Sequence, residues 1–103
     1  RTFCFCDDNV DACLKALYDK KIINDVVNIG GEHEIRIIDL AQKIIDATNS
    51  SSKIVHLPPL KDGDMARRCP DNTKMRDLLG RDLIPIDEGI KKLLASPQFK
   101  INK

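Results

Sequence analysis

Apolar and polar positions along the chain switch between two periods, and the switches predict the elements. Residues 2 to 6, Thr-Phe-Cys-Phe-Cys, are strand formers with apolar side chains on both faces, so a strand covered on both sides is expected there. Phe3 and Phe5 would share one of its faces. Asp7-Asp8 then offer an N-cap, and Val10, Cys13, Leu14 and Leu17 recur at helical spacing, predicting an amphipathic helix to about Lys20. Val26-Val27-Asn28-Ile29 reads as a second strand, stopped by Gly30-Gly31 through the positive φ that glycine tolerates. Ile37, Leu40, Ala41, Ile44 and Ile45 form the clearest helical stripe, ending at the polar cluster 48–52. Lys53 to Leu57 reads as a third strand before Pro58-Pro59, and Leu60 to Pro70 carries charges without any period.

Two further helices are predicted downstream. Asp71 caps one that carries Met75, Leu78 and Leu79 and stops at Gly80. The other starts near Pro85, with Asp87 and Glu88 in its first turn and Ile90, Leu93 and Leu94 facing inward. A frayed tail is expected over 96–103. The order strand, helix, strand, helix, strand, loop, helix, helix predicts an α/β fold with a small, largely parallel sheet and flanking helices. No internal repeat is visible.

Composition narrows the function classes. A chain of 103 residues supports one small core, burying roughly 60 to 70% of its unfolded surface. Seventeen Lys and Arg against sixteen Asp and Glu leave a net charge of +1 with no basic patch, so neither nucleic acid nor an anionic membrane is an expected partner. No apolar run approaches the length of a membrane span and no leader pattern opens the chain, so a soluble, cytoplasmic segment is expected.

The cysteines, Cys4, Cys6, Cys13 and Cys69, include no C-x-x-C pair, and neither His33 nor His56 completes a zinc set at a known spacing. Core thiols in a reducing compartment are therefore expected over a metal or redox module. Catalytic signatures are missing as well. The glycines at 30, 31, 63, 80 and 89 form no phosphate-cradling motif, and Tyr18 and Lys21 are one residue short of the Y-x-x-x-K spacing that puts both on one helix face. No catalytic, cofactor-binding or metal-binding residue is assigned within this segment.

Four stretches nevertheless fit a pattern in register. Arg1-Thr2-Phe3-Cys4-Phe5-Cys6-Asp7-Asp8, Val27-Asn28-Ile29-Gly30, Pro70-Asp71-Asn72-Thr73-Lys74-Met75-Arg76-Asp77-Leu78-Leu79-Gly80 and Glu88-Gly89-Ile90 follow R-x-F-x-Y-V-x-D, x-N-[IV]-G, R-x-x-D-x-x-K-x-x-x-x-L-G-W-x-P and x-x-E-G-[IL]. Over residues 1–95 the chain resembles the C-terminal, substrate-binding part of the extended short-chain dehydrogenases/reductases, the NAD-dependent sugar-nucleotide epimerases, dehydratases and decarboxylases. Within that family, the UDP-glucuronate decarboxylases and GDP-mannose 3,5-epimerases compare best. Cys6, Phe5 and Arg81 depart from the usual Val, Tyr and Trp.

The resemblance implies a Rossmann-type parent whose NAD-binding half and Tyr/Lys pair precede this segment, and it leaves a homodimeric parent open. It also implies a nucleotide-diphosphate sugar as ligand, with Arg1 and a loop arginine, Arg68 first, on the diphosphate. Two converging guanidinium forks would bind such a group without basic charge elsewhere. Lys61 is the alternative to Arg68, and Asp64 is a candidate contact for a sugar or nucleotide hydroxyl or a partner for a neighbouring arginine. Arg67 is ambiguous. A non-catalytic binding or regulatory relative on the same scaffold is the competing expectation.

Overall fold

In the computed structural model, residues 1–99 are described, and they form four α-helices: α1 (Cys6–Tyr18), α2 (Ile37–Thr48), α3 (Thr73–Leu79) and α4 (Ile86–Ala95). Pro97–Phe99 adds one 3-10 turn, and the rest of the expected frayed tail lies outside the described residues. Among the described residues no helix is long and apolar enough to cross a membrane. α1 packs on α3 and α2 on α4.

The expected α/β fold is overturned, because none of the three predicted strands forms and the described residues contain no sheet. One isolated antiparallel bridge joins Thr2 to Glu34, beside a mutual backbone pair in which Arg1 N donates to Ile35 O (3.0 Å) and Ile35 N to Arg1 O (2.9 Å). A strand exists through its neighbours, and β-branched composition records fitness for a covered, pleated surface rather than a backbone preference. Here the cover is partial, since Cys4, Val27 and Ile29 touch the core while their neighbours stay open. Val26 is 76% exposed, and Val55 and Leu57 are exposed as well. The radius of gyration, 16.6 Å, exceeds the roughly 13 Å of a compact chain this long, and the shortest dimension is 19 Å. The segment is a thin slab with a small core.

That core is Ala12, Met75, Leu78 and Leu79, flanked by partly buried Cys4, Val27, Ile29 and Leu83. α3 supplies most of it, and its end is as predicted: Gly80 takes the left-handed conformation (φ 63°) and donates to Arg76 O at 2.9 Å. Its start differs by one residue, since Asn72 is the N-cap while Asp71 Oδ1 accepts from Thr73 N and Oγ1 at 3.0 and 2.6 Å. α4 begins after Pro85 with Asp87 and Glu88 in its first turn, as the pattern predicts.

α1 forms with the opposite face inward. The predicted stripe of Val10, Cys13, Leu14 and Leu17 is exposed, and Asp8 and Ala12 are the residues buried. The N-cap is Phe5, so Cys6 is already helical and Asp8 lies within the first turn instead of capping it. Its carboxylate accepts from Arg81 Nη1 at 2.5 Å and Ile84 N at 2.7 Å, which holds that side of the helix against the chain that follows α3. The cysteines are corrected with it. All four are free, but Cys6, Cys13 and Cys69 are exposed and only Cys4 is partly buried.

Gly31 has a different role from the one expected. Neither Gly30 nor Gly31 has positive φ; a Cβ on Gly31 would overlap the Phe3 carbonyl, so the glycine is there to let two backbones touch. The adjoining segment is laced to the start of α3 by two amides. Asn28 Nδ2 donates to Asp71 O (3.2 Å), and Asn72 Nδ2 to Gly30 O (3.0 Å).

Candidate functional site

Three irregular stretches meet at the first residue: the N-terminal segment, residues 28–37, and the loop before Pro70. Arg1 stands between two clefts of about 470 Å³ each. One is lined by Arg1, Thr2, Cys4, the Asn28–Gly31 backbone and Arg68 to Pro70; the other by Glu34 to Ile37 and Asp64 to Ala66. The backbone pair with Ile35 sets the Arg1 main chain, and the side chain reaches the loop.

The contacts of that side chain define the site. Arg1 Nη2 donates to Asp64 Oδ1 at 2.6 Å and Nη1 to the Met65 carbonyl, so both prongs of the fork are engaged by the loop. Arg68 lines the first cleft with Arg1, and its Nη2 contacts Met65 Sδ at 3.4 Å. Lys61, on the exposed part of the loop, lines neither cleft. The candidates Arg1, Arg68 and Asp64 are thus neighbours of Met65 or of one another, and Lys61 stands apart.

Glu34 and Arg67 form a contact that sequence reasoning missed. Arg67 Nε and Nη2 donate to the two Glu34 oxygens at 2.6 Å each, a bidentate latch between the loop and the residue paired with Thr2. This hydrogen bonding holds the Glu34 carboxyl below the usual glutamate range and the Arg67 guanidinium above its own. Nothing local in Gly-Glu-His-Glu-Ile singles out Glu34, because its partner lies 33 positions away. The amides of Asn28 and Asn72 had a signal, since both lie inside the recurring stretches Val27–Gly30 and Pro70–Gly80.

Chemically, the first cleft is lined by two arginines, of which Arg1 sends its guanidinium to Asp64 and Met65 on the second cleft. Such a set suits a phosphorylated ligand, and the free thiols of Cys4 and Cys69 line the same cleft. His33 and His56 are exposed, and no three His, Cys, Asp or Glu side chains converge among the described residues as a metal would need. The paired glycines Gly30-Gly31 are packed against their neighbours, a Cβ on Gly30 meeting Pro70 and one on Gly31 the Phe3 carbonyl.

Comparison with known proteins agrees with the motifs. The chain is 39% identical over 83 residues, 76% of its length, to a UDP-N-acetyl-alpha-D-glucosaminuronate decarboxylase of Bacillus cytotoxicus, of which it covers 26%. It is 34% identical over 95 residues to UDP-glucuronic acid decarboxylase 1 of Danio rerio, covering 91% of this chain and 22% of that protein. With UDP-glucuronic acid decarboxylase 3 of Arabidopsis thaliana it shares 27% identity over 105 residues, 99% of this chain and 29% of that one. The chain therefore spans about a quarter of the length of these relatives. No family profile and no solved structure matches it. By its four motifs and these relatives, the chain is a partial homologue of the sugar-nucleotide decarboxylases, consistent with a C-terminal piece of an extended short-chain dehydrogenase/reductase.

Proposed function

We propose that this chain is the nucleotide-sugar-binding part of an NAD-dependent sugar-nucleotide decarboxylase or a close relation, and that Arg1 and Arg68 take the diphosphate. The observation that supports it is their placement in one cleft, although 67 positions separate them in sequence. The names of the relatives supply the ligand class, a UDP-linked uronic acid. On this reading NAD, which provides transient oxidation of the sugar in the family, is held by protein outside these residues. What this chain contributes is binding and orientation: two guanidinium forks on the diphosphate, anchored through backbone pairing at Arg1 and by the Arg67–Glu34 latch at the loop.

Calorimetry with UDP and UDP-glucuronate tests the reading. Arg1→Ala and Arg68→Ala should each weaken binding by about 1.5 to 3 kcal/mol, the scale of a hydrogen bond to a charged group. Lysine at either position should recover only part, because a point charge lacks the planar fork. Unchanged affinity in both alanine variants would reject it.

A further inference from the structure

Resting on that reading, we propose that Asp64 is a built-in competitor for the diphosphate: its carboxylate occupies the Arg1 fork until a phosphate displaces it. A carboxylate and a phosphate each present a guanidinium with a pair of anionic acceptor oxygens at similar spacing, so they are alternative ligands for one fork. Arg1 Nη2 lies 2.6 Å from Asp64 Oδ1, and the other prong is held by the neighbouring Met65 carbonyl. The contact is displaceable. The Asp64 side chain is 57% exposed and that of Arg1 30%, and ion pairs of this kind stabilise weakly.

The surroundings favour exchange over collapse. Among the described residues Arg68 makes no ion pair, so an incoming diphosphate meets one unneutralised guanidinium before it competes for the second. The loop also keeps an anchor when Asp64 leaves, because the bidentate Arg67–Glu34 pair joins it to residues 34–37 independently of Arg1. Asp64 thereby sets a threshold: a single weak anion gains little over the resident carboxylate, whereas a ligand bridging Arg1 and Arg68 gains both forks.

The test is titration of the full chain with UDP and, separately, inorganic pyrophosphate. Asp64→Asn should bind both about threefold to fivefold more tightly, the span expected for removing an exposed competing pair, and Asp64→Ala should do the same. The gain should vanish in an Arg1→Ala background, and Glu34→Gln should not reproduce it, which separates competition at Arg1 from a general loss of negative charge. Unchanged or weaker binding by both Asp64 variants, while Arg1→Ala still weakens UDP, overturns the proposal and leaves the diphosphate reading standing. Weaker UDP binding with unchanged pyrophosphate binding would place Asp64 on a hydroxyl of the ligand and equally overturn it. If Arg1→Ala and Arg68→Ala both leave UDP affinity untouched, the diphosphate reading falls and the competitor with it.

Discussion

Asp8, which has no exposed surface, accepts from Arg81 Nη1 at 2.5 Å across 73 residues of chain, and Arg81 stands where the family motif carries tryptophan. The same guanidinium reaches Asp11 at 3.0 Å, so a single side chain after α3 clamps two successive turns of α1. Both hydrogen bonds hold Arg81 above the ordinary arginine range, the one it donates to Asp8 first. Removing it would leave a buried carboxylate with only the Ile84 amide.

Arg81→Ala should therefore lower stability clearly, because it strips the fully buried Asp8 carboxylate of its charged donor, though less than loss of a fully buried pair because water can reach this guanidinium. Asp11→Ala should cost under about 1 kcal/mol, since that pair is exposed on both sides. Urea midpoints at neutral pH measure both. Equal losses would show that Asp8 is not the anchor.

The orientation of α1 makes a second prediction. Leu17→Glu should shift the urea midpoint little, within about 0.5 kcal/mol, because Leu17 is 69% exposed. Leu78→Ala should cost about 2 to 5 kcal/mol, because Leu78 is buried. A large loss from Leu17→Glu would mean that the periodic stripe faces a core after all.

Acid should loosen the chain. Asp25, Glu34, Asp39 and Asp71 all have folded pKa values depressed by hydrogen bonds from Lys74, Arg67, Arg36 and Thr73 respectively. A depressed carboxylate contributes stability that is complete above its unfolded value and is lost as pH falls through the folded one. The urea midpoint should be level at neutral pH and fall below about pH 4.5. Glu34→Gln should flatten part of that fall; an identical acid profile would remove the Arg67 pair from the account.

Thiol reactivity should rank the cysteines. Burial first, then the charges of Asp8 and Cys6, push the Cys4 thiol up, while Cys6, Cys13 and Cys69 are exposed. Timed alkylation read by mass spectrometry should label those three before Cys4, because the thiolate is the reacting form. Early labelling of Cys4 would contradict its place beside Met75 and Leu79.

Helices α2, α3 and α4 were legible in the sequence by itself, because helical period, first-turn acids and a C-terminal Gly80 act over a few residues. The family was legible too, through motifs whose order survives without any knowledge of contacts. The strands were not, since extended backbone becomes a strand only through a ladder to another segment, and residues 2–6, 26–29 and 53–57 have none here. Only the tertiary structure decided which face of α1 turns inward: an apolar stripe records a tendency to be covered, and the pull came from Arg81 and Ile84 on Asp8. The site divides the same way. The family resemblance nominated Arg1 and Arg68, but the pairing of Arg1 with Asp64 and of Arg67 with Glu34 joins residues 63 and 33 positions apart, and charge alone carries no information about which opposite charge the fold will bring to it.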